Sequence, residues 1–214
     1  MKKIILISAV VCFFSLNMNG QDTKFGVKAG IGAILAGTEI SEVGNEENVL
    51  THRVKFTSGS PIYYGGLFFN QKFGPLFLQT DLLYNQYSMS YEVSSKAVKD
   101  IPKGTVSESF QYVDFNISAG LTANGFSLGG GPTIHRLLNF NSALDFIPAY
   151  NDHARKNSYG FVGYVMYEFD RMGIQLKYEG VFRSIGDHIY YGEYNFHFKG
   201  NPNQLSLLFS YSFI

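Results

Sequence analysis

From Leu205 to Phe213 the odd positions are Leu205, Leu207, Phe209, Tyr211 and Phe213, while Gln204, Ser206, Ser210 and Ser212 stand between them, interrupted only by Leu208. A period of two sends successive side chains to opposite sides of an extended chain, so this stretch is a strand with one oily face. The same design recurs upstream. Ile174, Leu176, Tyr178 and Phe182 alternate with Gln175, Lys177, Glu179 and Arg183. Tyr159, Phe161, Val165, Tyr167 and Phe169 oppose Ser158, Tyr164 and Glu168, and Val113, Phe115, Ile117, Ala119 and Leu121 oppose Tyr112, Asp114, Asn116 and Ser118. Residues 25–34, 62–71, 76–91 and 126–138 follow the pattern less cleanly, and together these segments predict eight strands.

The connections alternate in length. Residues 35–60, 92–109, 139–157 and 184–203 are long, whereas 72–75, 122–125 and 170–173 are short and carry Gly74-Pro75 and Asn124-Gly125, residues that favour tight hairpins. An even number of roughly ten-residue strands, with short turns at one end and long loops at the other, is the pattern of an outer-membrane barrel. The expected fold is therefore all-β, an eight-stranded antiparallel up-and-down transmembrane barrel over residues 21–214.

Residues 1–20 read as a secretory leader. Lys2 and Lys3 precede an apolar run over 4–16, too short to span the bilayer as a helix, and the small Gly20 precedes Gln21. The only cysteine, Cys12, lies in that leader, which leaves the mature chain without an internal disulfide or thiolate site. Aromatic enrichment (20 Phe and 15 Tyr) and 16% charged residues argue against disorder and against a helical bundle. The balance of 17 basic and 17 acidic residues gives no field for nucleic acid.

Charge placement separates a membrane barrel from a soluble one. Most charges fall in the connections. Within strands, Lys28, Asp81, Asp114, Glu168, Lys177, Glu179 and Arg183 share the polar parity, and Arg136 lies at a loop end where it reaches headgroups. A Lys or Arg at the midplane of the lipid face costs about 2–4 kcal/mol, which accounts for an oily parity free of mid-strand charge. Phe25, Phe73, Phe126, Phe169 and Phe213 at the short-turn ends, and Tyr63, Tyr91, Phe110, Tyr159 and Phe182 at the long-loop ends, are expected to form two interfacial girdles.

Several short segments resemble the Bacteroidota outer-membrane barrels known as PorT-like. They are the opening Phe25-Gly26-Val27-Lys28-Ala29-Gly30, then Asp81-Leu82-Leu83-Tyr84, Tyr112-Val113-Asp114-Phe115, and Gly131-Pro132-Thr133-Ile134 followed by Leu137-Leu138. Gly163-Tyr164 through Glu168-Phe169, with Leu176-Lys177-Tyr178, resembles the family's penultimate hairpin. The resemblance covers the mature chain and implies outer-membrane residence in a Gram-negative cell and an unresolved or structural function, with one branch tied to protein secretion and gliding. The terminal aromatic usual in such barrels stands here at the penultimate Phe213, before Ile214.

An eight-stranded barrel is just wide enough for side chains to fill it, so the inward charges must pair. Lys28, Lys177 and Arg183 are expected to meet Asp81, Asp114, Glu168 and Glu179 in a lumen network, with His135 donating to a neighbouring carboxylate. No catalytic residue, metal site or cofactor is expected. Ser184, Asp187 and His188 are too nearly consecutive to form a triad, and His52, His153, His188 and His197 show no ligand spacing. Gly26, Gly30 and Gly32 precede no helix and no Gly-Lys-Ser ending, so they do not form a phosphate loop. The expected partners are outer-membrane lipid and lipopolysaccharide, the barrel-assembly machinery and an unidentified loop ligand. The expected role is structural or loop-mediated binding, without enzymatic activity; a lipid-modifying enzyme, a narrow pore and a secretion accessory are the alternatives.

Overall fold

The structure, a computed structural model, describes residues 22–35, 40–44, 50–95, 104–142, 156–182, 189–191, 194–196 and 203–214. Its strands are β1 (Thr23–Leu35), β2 (Ile40–Gly44), β3 (Leu50–Gly59), β4 (Ile62–Phe73), β5 (Leu76–Ser95), β6 (Gly104–Ala123), β7 (Phe126–Ser142), β8 (Asn157–Phe169), β9 (Met172–Val181), β10 (Ile189–Tyr191), β11 (Tyr194–Phe196) and β12 (Asn203–Ser212). Eight of them close a ring, β1-β4-β5-β6-β7-β8-β9-β12 and back to β1, every pairing antiparallel. Closure leaves the ring no free edge. This is the antiparallel barrel expected from the alternation.

Two-residue turns join the ring at one end. Gly74 (φ 65) precedes Pro75 in the arrangement of a type II′ turn, and Asn124 (φ 51) with Gly125 (φ 82) has the two positive dihedrals of type I′. Asp170 (φ 54) opens the third turn, between paired Phe169 and Met172.

The other end departs from expectation. The predicted loop over 35–60 contains the β2–β3 hairpin, and the loop over 92–109 shrinks because β5 runs to Ser95 and β6 starts at Gly104. β7 likewise continues to Ser142, and β10 pairs with β11 between residues 184 and 203. β3 prolongs the line of β4 along β5, beyond a break at Ser60-Pro61, where proline has no N–H to give a ladder. Ser60 bridges the break: its N–H donates to Ser88 O at 2.8 Å, and its Oγ accepts from Ser88 N–H at 2.8 Å. At about 3.3 Å per residue, the 20 residues each of β5 and β6 far exceed the 9–11 that cross a bilayer. The surplus forms a sheet that stands beyond the apolar band.

The faces show why. Through the ring the outward row is apolar, for example Ile31, Leu82, Ile117, Leu128, Val165, Leu176 and Leu207, all exposed. The inward row is polar and buried: Lys28, Asn70, Gln79, Asp81, Asn85, Asp114, Asn116, Thr133, His135, Gln175, Lys177 and Glu179. Toward the loop end this order reverses. Gln86, Ser107, Ser109 and Glu92 face out, while Tyr87, Met89, Tyr91 and Phe110 face in and pack with Ile62, Tyr64, Leu83, Tyr112 and Leu208. One pair of strands thus carries a membrane pattern below and a water pattern above. The switch marks where hydrocarbon ends, and it moves two expected girdle residues: Tyr91 and Phe110 are buried in this plug rather than set at the lipid interface. Tyr63, Tyr159 and Phe182, and at the turn end Phe25, Phe73, Phe126, Phe169 and Phe213, are exposed on the outside. A closed barrel with an oily exterior and a polar, paired interior is a transmembrane barrel.

Candidate functional site

The lumen is layered. Nearest the turns, Glu168 accepts hydrogen bonds from Lys72 Nζ at 2.6 Å and Lys24 Nζ at 3.3 Å, at a mouth where all three remain partly exposed. An apolar layer follows, in which Phe77 packs against Tyr164 (ring centroids 6.3 Å apart) beside Met166. Gly129 faces this layer because a Cβ there would lie 2.7 Å from the Phe77 ring.

The next layer holds the first buried ion pair. Lys28 Nζ on β1 donates to Asp81 Oδ1 on β5 and to Gln175 Oε1 on β9, each at 2.8 Å, and lies 5.2 Å from the Phe68 ring centroid. Gln79 Nε2 reaches both Asp81 oxygens at 3.3 Å and its Oε1 accepts from Asn70 at 3.1 Å. Asn116 Oδ1 accepts from Thr133 at 2.5 Å.

Above it sits a second cluster, drawn from β4, β5, β6, β7, β9 and β12. Lys177 Nζ donates to Glu179 Oε2 at 2.8 Å and stands 4.5 Å over the Tyr64 ring. Tyr64 donates its hydroxyl proton to Gln204 Oε1 and accepts from Ser206 Oγ at 3.1 Å. His135 Nδ1 is 2.8 Å from Asp114 Oδ1 and 3.7 Å from Glu179 Oε1, and Asn85 Nδ2 donates to Asp114 Oδ2. Asp114 and His135 also line a small cavity of about 20 Å³ together with Asn85 and Tyr112, large enough for one water-sized body. The aromatic plug closes the lumen above.

The sequence-predicted residues thus fall into three groups. Lys28 meets Asp81, and Asp114, His135, Lys177 and Glu179 form one cluster. Glu168 is not with them; its register, opposite Gly173 beside the Asp170 turn, sets it at the turn-end mouth with Lys24 and Lys72. Arg183 lies outside the described residues, as do Ser184, Asp187, His153, His188, His197 and the leader over 1–20. The expected network lacks the amides: Gln79 bonds Asp81, Asn85 bonds Asp114, Gln175 accepts from Lys28, and Gln204 accepts from Tyr64. Their signal was present: each sits on the parity opposite the oily row of its strand. Nor is the lumen filled by polar groups alone, since apolar layers bracket the charges at both ends.

No protein-family model matches the chain, and no curated protein matches it. Among solved structures, 13 chains match. One is the NanC porin in a rhombohedral crystal form, 11% identical, with 87% of this chain and 98% of that chain covered and a TM-score of 0.30.

Proposed function

We propose that this chain is an outer-membrane barrel, exported by the leader over 1–20, that serves as a sealed anchor presenting strands and loops at the cell surface for structural or binding contacts. The observation that carries this reading is the lumen itself: an ion pair, a charged cluster and an aromatic plug succeed one another along the barrel. A solute path would have to break them in turn. The strands that overshoot the apolar band, β3, β5, β6 and β7, give the external part a framed surface for a partner. The order of the PorT-like segments supports the same placement.

Planar-bilayer recording tests the sealed lumen. The purified protein is expected to insert without stepwise conductance, and replacement of Phe110 and Tyr87 by Ala, which removes the centre of the plug, is expected to leave the charged layer still closing the path. Regular single-channel steps from the unmodified protein would replace the anchor reading with a pore. In cells lacking the gene, lipid A is expected to keep its normal acylation, whereas loss of a modified species would make the barrel an enzyme.

A further inference from the structure

We propose that Asp114, His135 and Glu179 bind a divalent first-row transition metal ion in the lumen. The ligand atoms of these three residues, which come from β6, β7 and β9, all lie within 4.8 Å of one another, and all three residues are buried.

The argument rests on which atoms are already committed. Each carboxylate has one oxygen fixed by a protein donor: Lys177 Nζ holds Glu179 Oε2 at 2.8 Å, and Asn85 Nδ2 holds Asp114 Oδ2. The other oxygen of each is turned toward the imidazole, 2.8 Å (Asp114 Oδ1) and 3.7 Å (Glu179 Oε1) from His135 Nδ1. Glu179 Oε1 has no hydrogen-bond partner although the side chain is fully buried, and His135 Nε2 has none either. Anchoring one oxygen of each carboxylate from outside while the second faces the imidazole is how outer groups orient metal ligands. One imidazole and two carboxylates suit Zn²⁺, Mn²⁺ or Fe²⁺ and offer nothing to metals that need sulfur. Three protein ligands leave a coordination position open, and the cavity beside Asp114 and His135 has room for a water there. The ion replaces the proton that His135 would otherwise share with Asp114; that proton is the competing occupant.

The test uses Zn²⁺ and the full protein purified from membranes in detergent. After metal stripping, loading and gel filtration, about one zinc per chain is expected to remain, and X-ray absorption at the zinc edge is expected to show oxygen and nitrogen ligands with a single imidazole. His135→Ala and Glu179→Gln are expected to lose the ion while keeping the heat-modifiable gel shift of a folded barrel. Replacing His52, His153, His188 and His197 together by Asn is expected to leave it bound. The proposal fails if the stripped and reloaded protein retains no zinc, or if the ion leaves with the other four histidines. Should the lumen variants not fold, the absorption spectrum of the unmodified protein decides: more than one imidazole places the ion on other histidines and overturns the site.

Discussion

Replacing Leu176 by Arg is expected to destabilise the folded protein in phospholipid vesicles by about 2–4 kcal/mol relative to the leucine, a shift readable as an earlier urea midpoint for unfolding from the bilayer. Leu176 lies half-way along β9, points outward and is about half exposed, with Val165 and Leu207 directly across on β8 and β12. About half exposed on the outer face, the position has room for a longer side chain outside the barrel. The penalty comes wholly from the solvent, because hydrocarbon cannot hydrate a guanidinium and the mid-strand position is too deep for the side chain to reach headgroups. A matched change near the loop end, Leu138→Arg, is expected to cost about 0–1 kcal/mol, since it sits beyond Arg136, an arginine already tolerated on the same outward row with its Nη1 bonded to Asn157 at 2.8 Å. The depth dependence is the informative part. A barrel whose oily face packed against protein or stood in water would show equal effects at both positions, or none at Leu176.

The same solvent argument explains what was legible in the sequence. Inside the bilayer outward charge is selected against, so the oily row over 113–121, 159–169 and 205–213 runs without a charged residue and the ring could be read directly. Beyond the bilayer that selection stops. In β5 the outward row after Tyr84 becomes Gln86, Ser88, Ser90 and Glu92; the strand is readable as far as Tyr91, but its last four residues, the extensions of β6 and β7 and the β2–β3 hairpin resemble loops in composition and were hidden. Parity also identified Lys28, Asp81, Asp114, Glu168, Lys177 and Glu179 as inward, since side-chain direction is a local property, but it missed Glu108, buried on the stretch of β6 that reads as a loop, and Arg183 lies outside the described residues. It could not say which charges meet. Lys28 of β1 pairs with Asp81 of β5 across an intervening strand, a contact fixed by barrel closure and register rather than by spacing along the chain. Glu168 shares the inward parity of Lys177 and Glu179, yet its height near the Asp170 turn gives it to Lys24 and Lys72 instead. Tyr91 and Phe110 failed as girdle residues for a related reason: aromatics on a strand that outruns the bilayer can be core of the part above it.

The largest effect is expected from breaking the Lys28–Asp81 pair on one side only. Both side chains are almost wholly buried, at 1% and 2% exposure, so neither charge can turn to water when its partner is removed. Lys28→Met leaves Asp81 with the two 3.3 Å contacts from Gln79 and strips Gln175 Oε1 of its donor. Deleting one partner of a buried pair in this way costs about 3–5 kcal/mol, and Asp81→Leu, which strands the ammonium beside the Phe68 ring, is expected to cost as much. The double variant Lys28→Met with Asp81→Leu behaves differently. It removes both desolvated charges and puts apolar groups of similar length in a layer already floored by Phe77, Tyr164 and Met166, so it is expected to recover most of the loss and to fall near the parent. The quantity to measure is the coupling energy of the cycle, from urea unfolding in vesicles of one composition. A coupling of several kcal/mol means that the pair is dry and mutually required. Additive single effects would mean instead that water enters the lumen and screens each charge alone, and a lumen that wet would no longer be sealed.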